Sequence, residues 1–439
     1  MELPVEKETE ESIDFLYHEL ETNKLAYYNL YFDVGNIEDR WVPYYRLFTT
    51  LVLQLGTSKY SSEALSQEIA IKVGRVSLSN QVYSPEIDSA LHKIKVAVRT
   101  KESSIKESLS LVSHILTETI FDDKDKVKEV IGRLSSSTKL YLENSGHVAG
   151  MMKVNSHSTV AGHLKEQLEG ISFYHFLTEL EANLDSEYED LIEKLQQIAH
   201  SIYSKMNLTV SFTGDQEGYA DFKKAVLEAD YPVVERNRVE QTFTPSVTSE
   251  AYTNSNSVVY VSKGSNLKLI GEKVTGHLAV VNSILNLEYL WEKLRVVGGA
   301  YGGGMSLSET GNIGFYSYRD PNLSNTLKTY DHTGSFLKEL ELSELALSRF
   351  IIGTIAKVDH PLNARMKGNA ADNAYFQGVT EDERKQRRAE ILTTRLSDIH
   401  AAAEIFDRLV DQESVCVVGN ERIIAKDSTE FEHKTVLFK

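Results

Sequence analysis

Cysteine is almost absent: Cys416 is the only one in 439 residues. No internal disulfide can staple the fold, and the setting of Cys416 in the apolar run VCVV reads as a buried, inert thiol and not as a nucleophile. Long apolar runs are missing too, none approaching the roughly 18 residues that a membrane-spanning helix needs. Clusters of lysine and arginine do not occur. With 47 basic against 64 acidic side chains the net charge is −17, and a chain without a basic patch lacks the counterion release that drives nucleic-acid binding. The acidity reads as plain solubility, or as a surface that favours basic peptides. The opening residues MELPVEKETEESIDF have neither the basic start and apolar stretch of a secretion signal nor the Arg-rich character of a transit peptide. The expected compartment is the cytoplasm, or an organelle matrix if a leader has been removed.

The length and the mixture, 41% hydrophobic and 25% charged, suit a globular protein of two or more domains. An acidic helix is expected over roughly the first twenty residues, then a strand over KLAYYNLYFDV (24–34) and helices over 42–55 and 61–72. VSLSNQVYS (76–84) and IKVAVRT (94–100) read as strands, and Ser104 with Glu107 as a capping box opening a helix. Helix periodicity then runs to the strand at 208–215. Residues 231–257 are poor in periodic apolar positions and rich in Ser, Thr, Asn and Pro, which marks a linker. After it the grammar restarts, with strands at 258–263 and 313–320, helices from about His277 to Leu294, and a closing strand SVCVVGNE. VSFTGD and VCVVGN match, and Leu65, Ile69, Ile71 and Gly74 recur at a fixed offset as Leu290, Leu294, Val296 and Gly299. The chain therefore reads as a tandem duplication of a unit of about 200 residues. At that register Ala70 and Val76 stand where Arg295 and Tyr301 stand, so the two polar groups are additions to the scaffold.

Five glycines fall within the seven residues Gly298 to Gly304. Such a run usually serves left-handed backbone or close approach by another chain or a ligand. Its spacing matches neither the P-loop nor the dinucleotide fingerprint, which argues against a phosphate cradle. Arg295 ends an amphipathic helix and Tyr301 lies across the turn, so a guanidinium and a phenol can converge on one acceptor. Both are donors, suited to a peptide carbonyl and to the oxyanion that develops from it, at about 3–4 kcal/mol per donor in a dry site. A surface ion pair for Arg295 and a core ring for Tyr301 is the bland alternative, and spacing alone leaves both open.

The run YLWEKLRVVGGAYGGGMSLSETGNIGFYSYRDPNLSNTLKTYD, with YFDVGNIEDRWVPYYRLFTTL, GHVAGMMKVNSHSTVAGHLKEQLEGISFYHFL and VVYVSKG, resembles the carboxy-terminal half of the presequence-protease branch of the insulinase-type, inverted-box zinc metallopeptidases, which includes falcilysin. The resemblance covers almost the whole chain. It implies an α+β fold of two tandem homologous domains, each a mixed, mainly antiparallel sheet packed with helices. These are expected at 24–235 and 257–439, after an acidic helical lead-in at 1–23 and separated by a linker at 236–256. In that family two halves close like a clam around a peptide. One holds zinc through H-x-x-E-H and a more distant glutamate, and the other offers an arginine and a tyrosine to the substrate. Carried over, these are Arg295 and Tyr301, on a substrate-binding loop with Gly298, Gly299, Gly302 and Gly303.

The zinc box itself is missing. Neither H-x-x-E-H nor H-E-x-x-H occurs, and VPYYRLF puts Tyr44, Leu47 and Phe48 where the first histidine, the glutamate and the second histidine would stand; none of them binds zinc well. His163-Leu-Lys-Glu166-Gln167 is a near miss that ends in glutamine, a poor zinc ligand, and reads better as a polar helix face. His175 and Glu179 read as an exposed pair. No metal or cofactor is expected in this chain; zinc would belong to an amino-terminal partner half. The leading expectation is the metal-free half of a zinc peptidase, inactive alone, whose partners are that zinc-bearing half and an unfolded or short peptide. An inactive subunit acting as scaffold or peptide-binding partner is the alternative.

Overall fold

The computed structural model describes residues 3–35, 37–229, 231–234 and 243–438. Its strands form two six-stranded sheets. The first takes β1 (Glu6–Glu10), β2 (Ile13–Glu19), β3 (Leu25–Asp33), β4 (Arg75–Tyr83), β5 (Leu91–Lys101) and β6 (Leu208–Gly214), in the order β1-β2-β6-β3-β5-β4. The second takes β7 (Ser249–Asn254), β8 (Val259–Asn266), β9 (Gly302–Leu307), β10 (Asn312–Tyr318), β11 (Ser414–Asn420) and β12 (His433–Val436), in the order β12-β7-β11-β8-β10-β9. Five strands correspond one to one. β2 with β6 and β7 with β11 are parallel, and every other pairing among these five is antiparallel in both sheets. The outermost strand differs: β1 lies antiparallel to β2, whereas β12 arrives from the carboxy-terminal end and lies parallel to β7. This is the expected α+β architecture of two tandem mixed, mainly antiparallel units.

The duplication is visible in backbone detail. Each edge strand follows a π-helical stretch, Ile69–Val73 before β4 and Leu285–Val297 before β9. Each stretch gives way to a glycine with positive φ, Gly74 at +86° and Gly299 at +79°, a conformation that a Cβ disfavours. Leu65 and Leu290 are buried, and Ile71 and Val296 are exposed, so the matched positions also share their facing. VSFTGD ends β6 and runs one residue past it, VCVVGN ends β11, and Asp215 and Asn420 then cap the next helix by accepting from the backbone N–H of Gly218 and Ile423.

Helices of each unit cover one face of its own sheet, enclosing one core around Phe15, Phe32, Phe48 and Phe212 and another around Val261, Leu290, Phe315 and Phe406. The opposite faces are covered by exchange. Helix Gly146–Ser156, from the first half of the sequence, lies on β8, β10 and β11; helix Ala364–Gln377, from the second half, lies on β2, β4 and β6. β6 and β8 are buried along their whole length, as strands covered on both faces are. The two coverings differ in chemistry. Gly146 and Gly150 let one helix settle against Tyr260 and Ser262, within an apolar cluster holding Ala149, Val154, Cys416 and Val418. The other helix is held by Asp372, fully buried, which accepts from His18 Nε2 at 2.8 Å, Asn29 Nδ2 at 2.8 Å, Tyr31 OH at 2.7 Å and Ser211 Oγ at 2.7 Å.

Several expectations need correction. The acidic lead-in 1–23 is not helical: it forms the hairpin β1–β2, turned by Glu11 and Ser12 at positive φ, with Ile13, Phe15, Leu16 and Tyr17 buried once β2 pairs with β6. Of the expected linker 236–256, residues 236–242 lie outside the described residues, while Ser249–Asn254 is β7, buried between β11 and β12. Ser104 makes no side-chain cap, because the turn Glu102–Ser104 runs directly into helix Ile105–Glu118. No helix among the described residues is long and apolar enough to cross a membrane.

Candidate functional site

Helix Gly276–Ile284 continues as the π-helical stretch Leu285–Val297. Such stretches are rare and are frequently found at functional sites. Residues four apart stack along its outer side, so Leu287, Trp291 and Arg295 are all exposed. Arg295 lies with its guanidinium carbon 4.4 Å from the Trp291 ring centroid and 5.4 Å from that of Tyr301. The structure thus brings together the two residues singled out from the sequence, with a third, Trp291, between whose ring and the phenol the cation is held. Tyr301 is 64% exposed, which excludes the core-ring alternative. Among the described residues no carboxylate pairs with Arg295, and neither its guanidinium nor the Tyr301 hydroxyl has a hydrogen-bond partner, which excludes the ion-pair alternative. Two strong donors therefore stand side by side with nothing among the described residues to accept from them.

The glycine run is less of a loop than expected. Gly298 and Gly299 form the turn, but Gly302 and Gly303 already belong to β9, which pairs with β10 from Gly302–Tyr318 to Leu307–Ile313. Gly303 is required by crowding: a Cβ there would stand 2.5 Å from Leu294 Cδ1 and 2.9 Å from the carbonyl oxygen of Tyr316. The turn is braced by SYRDPN. Asn322 Nδ2 donates to the Gly298 carbonyl at 2.6 Å, and Tyr301 N donates to the carbonyl of Arg319 at 3.3 Å. Arg319 itself takes a positive φ of 51°, an uncommon backbone state for a residue with a side chain. Asp320, buried and held above the ordinary carboxylate range by that burial, accepts from Thr326 and from the Asn322 backbone.

Asn286 fixes the other end. Its amide receives Met305 N at 2.9 Å and donates to Met305 O at 3.0 Å, imitating a neighbouring strand on the outer edge of β9. That edge is therefore closed at Met305 to an extended peptide. Trp291, Asn286, Asn322 and Tyr318 were not foreseen as part of the site. The signal for Trp291 was its four-residue spacing from Arg295.

The places where zinc would be sought do not fit a metal. Leu47 and Phe48 are fully buried, and Tyr44 packs against Phe176 while accepting from Lys194 Nζ at 3.1 Å. His163 pairs with Asp39 at 2.8 Å, and this bond holds the Asp39 carboxyl below its ordinary range, while Glu166 turns inward to accept from Ser172 N. His175 is no exposed pair with Glu179, since its Nε2 donates to the carbonyl of Leu437 at 3.2 Å. No cluster of three or more metal-ligating side chains occurs among the described residues. Cys416 is buried, and burial pushes its thiol far up.

Comparison with known proteins gives the family and the fold. Residues 1–180 match the family model described as Peptidase M16 C associated, and residues 249–421 match the PreP C-terminal domain. This chain belongs to the presequence-protease branch of the insulinase-type peptidases. It is 30% identical to presequence protease 1, chloroplastic/mitochondrial, of Arabidopsis thaliana, over 99% of this chain and 41% of that protein. To protein HypA of Clostridium perfringens it is 29% identical, over 98% of this chain and 44% of that protein. The chain thus spans less than half the length of these relatives and corresponds to their carboxy-terminal part. Its fold is shared with a peptidase M16 inactive domain from Pseudomonas fluorescens, at TM-score 0.65 and 13% identity, covering 95% of this chain and 98% of that one. A protease from Helicobacter pylori shares it at TM-score 0.62 and 12% identity, covering 94% and 99%.

Proposed function

We propose that this chain is the metal-free half of a presequence-protease-type peptidase, closing the chamber in which a peptide is degraded and binding the substrate carbonyl and its oxyanion through Arg295 and Tyr301. The observation that carries this reading is the pair of exposed, unpartnered donors held beside one another by Trp291 and a braced glycine turn. A zinc ion in the partner half would supply the polarised carbonyl and the activated water. This chain's own contribution is to steady negative charge from the opposite wall. The guanidinium gives a fixed cation with several N–H donors, the phenol a single O–H, and the rigid turn spares the reorganisation that weakens donors in water. On the proposed substrate-binding loop, Gly299 and Gly302 have nearly open Cβ positions and keep the approach to these donors free of side chains, while Gly298 and Gly303 are demanded by close packing.

The test is reconstitution. Mixed with a matching zinc-bearing half, the chain is expected to restore peptide cleavage that neither part performs alone, and Arg295→Ala is expected to lower turnover by about 10² or more. Full activity of the Arg295→Ala complex would remove the assignment. A chain that binds its partner half but never supports cleavage would favour the scaffold alternative.

A further inference from the structure

Beside Tyr301, on the face of the second sheet covered by the exchanged helix, lies a histidine that the reading above does not use. His147 is half-buried and packs among three tyrosines, with ring centroids 4.9 Å from Tyr318, 5.5 Å from Tyr316 and 6.2 Å from Tyr260. Tyr318 in turn meets Tyr301 edge-on at 5.7 Å. His147 is thus separated from the phenol by one ring, a span that about three residues of extended peptide would cover. Among the described residues its imidazole forms no hydrogen bond. Nδ1 is buried without a partner, and the Nε2 edge is the one left with access to solvent.

A buried N–H with no acceptor costs more than a buried lone pair with no donor, because an orphaned donor forfeits its full solvation. The ring is therefore expected to place its proton on Nε2, outward, and to leave the bare lone pair of Nδ1 inside. Burial also lowers the pKa of His147, so the neutral ring prevails near neutral pH. The result is a third donor on the Arg295 and Tyr301 side of the molecule, contributed by the other unit's sequence. Gly302 and Gly304 stand opposite Tyr318 and Tyr316 on the neighbouring strand and leave little side chain between β9 and this aromatic shelf.

We propose that His147 is a substrate-binding residue whose Nε2–H donates to a second backbone carbonyl of the same extended peptide, a few residues from the carbonyl held by Arg295 and Tyr301. The inference rests on the carbonyl-binding reading of those two residues. It makes the ligand an extended peptide recognised at two points of its backbone, without regard to side-chain charge.

The experiment uses the whole chain and a blocked hexapeptide of alternating Ala and Ser. Binding is followed by Trp291 emission in a Trp41→Phe background, since Trp41 and Trp291 are the only indoles. Nitrogen-15 labelling of histidine reports the His147 tautomer, its signal identified by loss in His147→Gln. The expected results are an Nε2–H tautomer whose signals move on peptide addition, affinity lowered about 3- to 10-fold in His147→Phe, and affinity largely kept in His147→Gln, which retains a donor. Urea midpoints equal to that of the parent chain would confirm that the variants fold. An Nδ1–H tautomer overturns the proposal. Unchanged affinity in His147→Phe, with weakened binding in Arg295→Ala, overturns the role of His147 and spares the carbonyl reading. Unchanged affinity in both variants, or no binding by the parent chain, overturns both.

Discussion

Replacing Asp372 by alanine tests how the two units are held together. Its carboxylate is fully buried and is the common acceptor for His18, Asn29, Tyr31 and Ser211. All four donors sit on the first sheet, whereas Asp372 sits on a helix from the far half of the chain. His18 presents Nδ1 to the carbonyl of Pro4 at 2.7 Å and Nε2 to Asp372 at 2.8 Å. The ring thus links the start of the chain to the exchanged helix. Asp372→Ala leaves all four side chains without their shared partner. Leaving a buried polar group without its partner typically costs about 1–3 kcal/mol, and several such losses together are a large part of the roughly 5–15 kcal/mol that holds a typical domain folded. Urea unfolding should show a midpoint lowered by that amount. Hydrogen exchange should show that helix Ala364–Gln377 and β2 lose protection before the rest of the first core. A loss below about 1 kcal/mol, with protection of that helix intact, would refute the argument that this carboxylate carries the junction.

Three further outcomes follow from named contacts. Gly303→Ala is expected to cost about 1–3 kcal/mol in urea unfolding, because one of the colliding atoms belongs to the backbone of β10 and cannot swing aside; a neutral effect would mean that β9 shifts freely. Asn322→Ala removes the bond to Gly298 and should cost about 1 kcal/mol while moving Trp291 emission towards that of free indole, and an unchanged spectrum would show that the turn stands without its brace. Glu413 is buried beside Lys263, whose closest partner is Asp331, and burial raises its pKa from 4.5 to about 7. A carboxyl with a raised folded pKa keeps its proton in the native state after the unfolded chain has lost it, so between those two values stability falls as pH rises. The loss amounts to as much as about 3 kcal/mol; Glu413→Gln should flatten this slope, and an identical slope in the variant would count against it.

Much of the fold was legible because it is written locally and twice. The spacing of Leu65, Ile69, Ile71 and Gly74 against Leu290, Leu294, Val296 and Gly299 predicts a shared helix end and turn, and the two π-helical stretches with their left-handed glycines realise it. Arg295 and Tyr301 were legible for the same reason, standing out against Ala70 and Val76. What escaped depends on partners distant in sequence. Glutamate-rich β1 has helix-forming composition, and pairing with β2, itself fastened to β6 almost two hundred residues later, overrides it. Glycine is a poor strand former, so Gly302–Leu307 reads as a loop until β10 and Asn286 fasten both of its edges. Nothing near Asp372 announces that its partner His18 lies 354 positions away.

The crossed helices have a consequence for how this molecule comes into being. Each six-stranded layer borrows its outer lid from the opposite stretch of polypeptide, so during synthesis the amino-terminal layer stays half-clad until residues 364–377 have been made. Produced separately, the second portion would bare the apolar flank of Tyr260, Cys416 and Val418, and the first the polar cluster of His18, Asn29 and Ser211. Only the linked pair covers both flanks, so each unit relies on a helix made by the other.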